Sequence, residues 1–170
     1  MNTLIISSSV SENSRSYILC TKVAEKLRKK GTNCTIVNAQ NIPMNPFHRG
    51  MTDEMKILSK QIEQADNIII GMGIHNYSIN DSLKVLVDNC FSGATEKFFG
   101  ILCAAGGDRS YLSTMHLTQM LMNQWRMIQL PRVVYARGFD FEGDEISNKD
   151  LTERIEQFSD EFFTIGTKLL

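Results

Sequence analysis

Apolar residues along this chain alternate between two spacings: short continuous runs, and longer segments in which they recur every three or four residues. A continuous apolar run bounded by polar or turn residues is typical of a strand that is covered on both faces. Such runs predict five strands, at residues 3–8, 33–38, 67–72, 97–105 and 131–136.

The segments between these runs have the spacing of amphipathic helices. In the first of them, Val23, Ala24 and Leu27 share one face, and Gly31 follows a last turn rich in lysine and arginine, which is a helix stop signal. The predicted helices span residues 16–30, 52–64, 82–91, 111–127 and 149–169. Residues 40–50 are predicted to be a loop and residues 138–143 a turn.

This alternation predicts one α/β domain over residues 1–170, in which crossover helices cover both faces of a parallel sheet. For five strands we expect a flavodoxin-like three-layer sandwich with strand order 2-1-3-4-5. Ligands of such sheets bind at the carboxyl ends of the strands, where the strand order reverses.

Composition narrows the class of partner. The formal net charge is −1, which argues against a nucleic-acid or membrane-surface partner. The four cysteines (Cys20, Cys34, Cys90 and Cys103) form no CxxC pair, so we expect four buried apolar side chains and no metal site. The sequence has no signal-peptide pattern and no apolar run of transmembrane length, so we expect a cytoplasmic protein.

The loop after the first predicted strand is rich in hydroxyl groups. Its five serines are Ser7, Ser8, Ser9, Ser11 and Ser14. Arg15 follows at the start of a helix, where free N–H groups and the helix dipole attract an anion. The loop contains neither GxxxxGK[ST] nor GxGxxG, so the anion that fits is a single phosphate monoester, as on a mononucleotide. The alternative is an ordinary helix cap.

Two further loops are expected at the same edge of the sheet. Residues 73–81 begin with a glycine, which lets a flat ligand approach the backbone, and continue with a run of aromatic and hydrogen-bonding side chains, HNYS. Residues 104–110 contain the pair Gly106-Gly107, whose backbone N–H groups can meet carbonyl oxygens of a ligand. The alternatives are plain turns, with His75 merely exposed.

Together these loops resemble those of the NADPH-dependent FMN reductase family, which includes chromate and quinone reductases and azoreductase-like enzymes. The segment SSVSENSRS, residues 8–16, is similar to a family motif that reads roughly GSxRxxSxN. The segment GIHNYSINDSLKVLVD, residues 73–88, is similar to a second motif, roughly PEYNYSIPGxLKNxLD. The second motif matches at Asn76, Tyr77, Ser78, Ile79, Leu83, Lys84 and Asp88, with Leu86 for its apolar position. The resemblance covers residues 3–136.

The resemblance implies bound FMN, NADPH or NADH as electron donor, a small-molecule acceptor, and a homodimer or homotetramer. The residues it implies for FMN binding are Ser9, Ser11, Ser14, Arg15, Ser16, Gly73, Ile74, His75, Asn76, Tyr77, Ser78, Gly106 and Gly107. Ser11 stands at the family's arginine position, so Arg15 is expected to supply the positive charge. No catalytic acid or base is expected, because the flavin carries the hydride chemistry.

Two other functions stay open. One is an electron-carrying flavodoxin, although such carriers are usually strongly acidic. The other is a flavin-free binding protein, because Gly73, Ile74, His75 and Asp81 depart from the second motif. His48 and His116 are expected to have surface or packing roles. The methionine-rich helix at residues 111–127 is interpreted as either a broad core face or a subunit interface.

Overall fold

The computed structural model describes all 170 residues and contains a mainly parallel sheet between two layers of helix. The strands of the sheet are β1 (Asn2–Ser7), β2 (Asn33–Asn38), β3 (Asn67–His75), β4 (Ser78–Ile79), β5 (Phe98–Ala105), β6 (Ile128–Gln129) and β7 (Val134–Arg137). A separate two-stranded hairpin consists of β8 (Phe141–Glu142) and β9 (Glu145–Ile146). The α-helices are α1 (Arg15–Lys29), α2 (Asp53–Gln64), α3 (Asp81–Cys90), α4 (Thr114–Trp125) and α5 (Lys149–Lys168).

The order of the sheet is β2-β1-β3-β5, and both β6 and β7 pair with β5 at the far edge. The central strand β1 is parallel to both neighbours, with Ile5 opposite Ile36 on one side and Ile69 on the other. When β6 and β7 are counted as one interrupted edge strand, this is the order 2-1-3-4-5. The flavodoxin-like prediction is therefore confirmed.

Two apolar clusters form the core, one on each face of the sheet. Side chains of a strand point alternately to its two faces. Leu4 and Ile6 accordingly pack in the cluster that contains the buried residues of α2, α3 and α4, whereas Ile5 packs with those of α1 and α5. Residues 67–72 of β3 are all buried, as predicted for a strand that is covered on both faces.

The four cysteines are free thiols within these clusters, which confirms their predicted burial. Burial raises the pKa of Cys20 and of Cys103 to about 12 and that of Cys90 to about 11. These thiols are therefore protonated and unreactive at neutral pH.

The predicted fifth strand, residues 131–136, is wrong as one continuous element. Strand pairing is instead divided between β6 and β7, and Pro131 lies between them. Proline has no N–H to donate to a neighbouring strand, which explains the interruption.

The predicted helix at residues 111–127 begins too early. Residues Asp108–Ser113 form a 3₁₀ helix, and the α-helix starts at Thr114. It ends at Trp125, and the following residue, Arg126, has a left-handed backbone with φ of 52°. Apolar spacing alone did not separate the two helix types, because Tyr111 and Leu112 fit either period.

Two predicted loops contain regular structure. Strand β3 continues beyond residue 72 to His75 and turns back into β4, so much of the predicted loop 73–81 is a hairpin. The predicted turn at residues 138–143 is a 3₁₀ turn, Gly138–Asp140, followed by the first strand of the β8–β9 hairpin. None of the helices combines the length and the apolar character that a membrane crossing requires.

Candidate functional site

The carboxyl ends of β1, β3 and β5 meet at one cavity of about 530 Å³. Its lining residues are Ser9, Ser11, Asn13, Ser14, Arg15, Ser16, Ile18, Gly73, Ala104, Ala105, Gly106, Gly143 and Asp144. The structure therefore brings together seven of the thirteen predicted site residues, namely Ser9, Ser11, Ser14, Arg15, Ser16, Gly73 and Gly106. This volume lies within the range of small-molecule and cofactor sites.

One end of the cavity is formed by the serine loop, residues 7–14, and the first turn of α1. The Ser14 hydroxyl accepts a hydrogen bond from the backbone N–H of Tyr17 at 3.2 Å and lies 3.0 Å from the Ser16 hydroxyl. Ser14 therefore caps α1, which is the role that the alternative interpretation of this loop, an ordinary helix cap, predicted. Ser9 and Ser11 also line the cavity, and the first turn of α1 contains no acidic residue. An anion at this end would meet hydroxyl groups and the positive end of the helix dipole.

Charge at this end comes from one basic and one acidic side chain. Arg15 is the only basic residue in the lining, and its guanidinium lies 5.5 Å from the centre of the Phe141 ring. Asp144 lines the same cavity from the tip of the β8–β9 hairpin. The two formal charges sum to zero, and the hydroxyl groups and the helix terminus are the other groups at this end that favour an anion.

The other end of the cavity is formed by backbone. A β-carbon added at Gly106 would meet no atom within 4 Å, and one added at Gly73 would meet only the Ala104 carbonyl oxygen, at 4.0 Å. These glycines thus face open space rather than packed protein. A flat ring can approach their backbone closely, and the polar end lies next to it in the same cavity. The residues present therefore fit a flavin mononucleotide.

The β3–β4 hairpin extends beyond the cavity lining. Asn76 and Tyr77 have positive φ values of 49° and 60°, as expected for a two-residue type I′ turn. Tyr77 is 63% exposed, and His75 lies 3.5 Å from the carboxylate of Asp81. The predicted site residues outside the lining are Ile74, His75, Asn76, Tyr77, Ser78 and Gly107.

A histidine of α4 contacts this hairpin. His116 Nδ1 lies 3.0 Å from the Ser78 hydroxyl, at hydrogen-bond distance. The sequence offered no partner for His116, because the two residues are far apart along the chain and meet only when α4 packs beside β4.

A buried hydrogen-bond network joins the serine loop to the end of β3. The Asn80 side-chain oxygen accepts from the Gly73 N–H at 3.1 Å, and the side-chain nitrogen donates to the Ser8 carbonyl oxygen at 3.0 Å. The Ser82 hydroxyl donates to the same carbonyl at 2.6 Å. Ser8, Asn80 and Ser82 are 0%, 1% and 8% exposed, and none of them was predicted as a site residue.

Ionic contacts anchor the loop after β5. The Arg137 guanidinium donates to Asp108 at 3.0 Å and to Asp140 at 3.1 Å, and the Tyr135 hydroxyl donates to the Gly107 carbonyl at 2.6 Å. Burial of the Asp140 carboxyl raises its pKa, but hydrogen bonds from Arg137 and Asn148 outweigh this effect and hold the pKa below its usual value. These contacts fix the Gly106-Gly107 segment relative to β7.

Residues of the lining that the sequence did not predict are Asn13, Ile18, Ala104, Ala105, Gly143 and Asp144. Asn13 stands within the hydroxyl-rich loop, and Ala104 and Ala105 end a predicted strand. These three residues could therefore have been predicted from their positions in the sequence. Gly143 and Asp144 carried no such signal, because the β8–β9 hairpin brings them to the cavity from a distant part of the sequence.

Comparison with known proteins agrees with this arrangement. Residues 1–142 match the model of the family described as NADPH-dependent FMN reductase. No curated protein is significantly similar in sequence.

Three solved structures illustrate the shared fold. The apo form of the NADH:FMN oxidoreductase EMOB is similar with a TM-score of 0.81 and 14% identity, over 96% of this chain and 89% of that chain. FerB, an NAD(P)H:(acceptor) oxidoreductase from Paracoccus denitrificans, gives a TM-score of 0.79 and 15% identity, over 98% and 97%. A flavodoxin from the domain Archaea gives 0.70 and 12%, over 97% and 99%.

Proposed function

The chain belongs to the NADPH-dependent FMN reductase family, and we propose that it is an FMN-dependent oxidoreductase that takes hydride from NADPH or NADH and reduces a small-molecule acceptor. The observation that carries this proposal is the single cavity in which a hydroxyl-lined helix terminus adjoins a glycine-rich surface open to a flat ring. EMOB and FerB, with the same fold, are named for flavin-linked reactions of this type.

In this proposal the side chains of the serine loop bind the phosphate. Ser9, Ser11 and Ser16 supply hydroxyl groups, Ser14 orients the first turn of α1, and Arg15 supplies the positive charge. Each hydroxyl can rotate toward a phosphate oxygen, and the free N–H groups of the helix terminus add fixed donors.

The isoalloxazine ring would lie against Gly73 and Gly106. Backbone N–H groups in this region can donate to ring carbonyl oxygens, and the absence of side chains on these residues leaves room for the ring. The flavin supplies hydride acceptance and donation when it is bound. The backbone at Gly73 and Gly106 would hold the ring, and no side chain in the lining is required as a general acid or base.

In this proposal the hairpin at residues 75–78 would border the solvent side of the ring. Its exposed Tyr77 and His75 stand outside the lining, on the side where a nicotinamide or an acceptor would arrive. We therefore assign Tyr77 and His75 to the approach of the second substrate rather than to the binding of FMN.

We also propose that the protein is a homodimer that associates through α4. This helix divides its apolar residues between two faces: Leu117 and Leu121 are buried in the core, whereas Met115 and Met122 are 53% and 48% exposed. Leu112, which lies in the chain segment just before the start of α4 at Thr114, is also exposed, at 74%, and adds to this apolar surface. Methionine-rich apolar surface of this kind is typical of subunit interfaces.

Anaerobic titration tests the proposal. The purified protein should bind added FMN, with a change in its visible spectrum, and NADPH or NADH should then bleach the bound flavin within seconds. Bound flavin that is bleached by dithionite but by neither nicotinamide would favour an electron carrier, a function that the similarity to the archaeal flavodoxin keeps in view. Failure to bind FMN would favour a flavin-free binding protein.

A further inference from the structure

Asn80 occupies a position where its side chain is expected to cap a helix. It immediately precedes α3 and has the extended backbone of an N-cap residue, with φ of −65° and ψ of 149°. Asparagine at this position normally accepts a hydrogen bond from the first turn of its helix. Here the side chain makes no capping bond, and Asp81 accepts from the Ser82 N–H instead. The carboxamide of Asn80 is directed into the protein.

The hydrogen bonds of this carboxamide are made inside the protein. The oxygen is an acceptor for the Gly73 N–H at 3.1 Å and lies 3.0 Å from the Ser8 hydroxyl. The nitrogen donates to the Ser8 carbonyl at 3.0 Å and to the Ser82 hydroxyl at 2.7 Å. The Ser8 hydroxyl has one hydrogen and also lies 2.8 Å from the Gly71 carbonyl oxygen, so this carbonyl and the Asn80 oxygen share it as donor. Both amide hydrogens of Asn80 and its acceptor bond from Gly73 are thus made inside the protein, while the residue is only 1% exposed.

The two backbone segments joined in this way belong to opposite ends of the candidate site. Ser8 directly precedes Ser9 of the phosphate end, and Gly73 lines the cavity at the ring end. The same segments are also joined where the parallel pairing of β1 and β3 ends: the N–H and the hydroxyl of Ser8 both donate to the Gly71 carbonyl, each at 2.8 Å. The Gly73 N–H therefore has its acceptor in the Asn80 side chain, seven residues further along the chain.

We propose that Asn80 is a positioning residue that sets the spacing between the phosphate and ring ends of the flavin site, so that one FMN molecule reaches both. This inference rests on the proposed function. Asn80 does not touch the cavity, and it acts through the main chain of Ser8 and Gly73. Loss of the Asn80 side chain should therefore weaken the binding of FMN, which contacts both ends, more than the binding of a ligand that contacts the ring end alone.

The test compares two ligands on matched variants. Dissociation constants for FMN and for lumiflavin, which has the ring without the phosphate chain, are measured for the wild type, Asn80→Ala and Asn67→Ala at a temperature where all three are folded. Asn67 is the control, because it is also 1% exposed but lies at the start of β3, the end of that strand far from Gly73. We expect Asn80→Ala to weaken FMN binding by about tenfold and lumiflavin binding by much less. Asn67→Ala should leave the ratio of the two constants at its wild-type value.

Ser82→Ala provides a milder variant in case Asn80→Ala does not fold. It removes one of the two donors to the Ser8 carbonyl while Asn80 remains, and we expect a loss of FMN affinity of about threefold with little change for lumiflavin. An unchanged ratio in the variants that fold would overturn the positioning role and leave the proposed function intact. A wild-type protein that binds neither ligand would overturn both.

Discussion

At the scale of single residues, the phosphate end of the site is unusual in pairing Arg15 with Asp144 in one cavity. An acidic side chain beside a bound phosphate repels it, and partial exposure to solvent limits but does not remove the effect. Asp144 stands at the tip of the β8–β9 hairpin, just outside the matched residues 1–142.

Changing these two charges should move FMN affinity in opposite directions. Asp144→Asn should tighten FMN binding about threefold, and Arg15→Gln should weaken it about tenfold, because the first removes a repulsion and the second an attraction. Riboflavin, which lacks the phosphate, should bind all forms alike. Fluorescence titrations at low and high salt measure these effects, and both should shrink as salt rises.

Glu145→Gln is the control, because Glu145 is exposed on the same hairpin and does not line the cavity. Equal effects of Asp144→Asn and Glu145→Gln, or a change in riboflavin binding that matches the change for FMN, would show that Asp144 does not act on the phosphate.

The serine loop and Arg15 could be predicted because sequence neighbours remain neighbours in a loop. Asn80 could be predicted only as a helix cap, since its true partners, Ser8 and Gly73, are identified only when β1 and β3 lie side by side. Asp144 reaches the cavity through a hairpin whose direction no local pattern specifies. His116 meets Ser78 through the same kind of long-range packing.

At the scale of elements, glycines on β3 have two different tasks. Gly71 lets α1 pack closely, because an added β-carbon would lie 2.3 Å from the Cys20 sulfur and 3.2 Å from the Ser16 carbonyl oxygen. Gly73, two residues further along the strand, faces the cavity. One strand thus uses glycine both for helix packing and for access to the site.

Alanine substitutions should separate these tasks. Gly71→Ala should lower the free energy of unfolding by about 2 kcal/mol through overpacking against α1. Gly73→Ala should leave stability nearly unchanged but weaken FMN binding about tenfold, because its methyl group enters the cavity. Urea unfolding and FMN titration of both variants provide the measurements. The assignment is wrong if Gly73→Ala is the less stable of the two.

The Arg137–Asp140 contact should make stability depend on pH. Since the folded-state pKa of Asp140 is lowered, its contribution is complete above the unfolded value near 3.8 and is lost as pH falls through the lower folded value. At neutral pH, Asp140→Asn should cost about 2 kcal/mol. The difference in melting temperature between wild type and variant should narrow from pH 6 toward pH 2. A constant difference over that range would rule out the ionised carboxylate as its source.

The elements of the core could be predicted well because their burial imposes a regular apolar period, as in residues 67–72. The far edge could not. Pro131 interrupts the fifth strand, and the 3₁₀ segment before α4 depends on contacts such as the one between Ser110 and Tyr135. Those contacts are set by tertiary packing and leave no local period to detect.

At the scale of the whole molecule, the proposed dimer depends on the exposed face of α4. The double variant Met115→Lys/Met122→Lys should halve the native mass, because charges at the centre of an apolar interface are poorly solvated. Analytical ultracentrifugation measures the mass. Gln40→Lys/Gln64→Lys is a control for added charge at exposed polar positions outside α4. A wild-type protein that sediments as a monomer would contradict the proposal directly.

The measurement that tests the central claim most directly is the anaerobic visible spectrum of the purified protein with added FMN, before and after NADPH or NADH. The cavity predicts that FMN binds with a stoichiometry of one per chain and that a nicotinamide bleaches it within seconds. FMN that stays free in solution, or that binds and remains oxidised with both nicotinamides, would contradict the assignment as an FMN-dependent reductase.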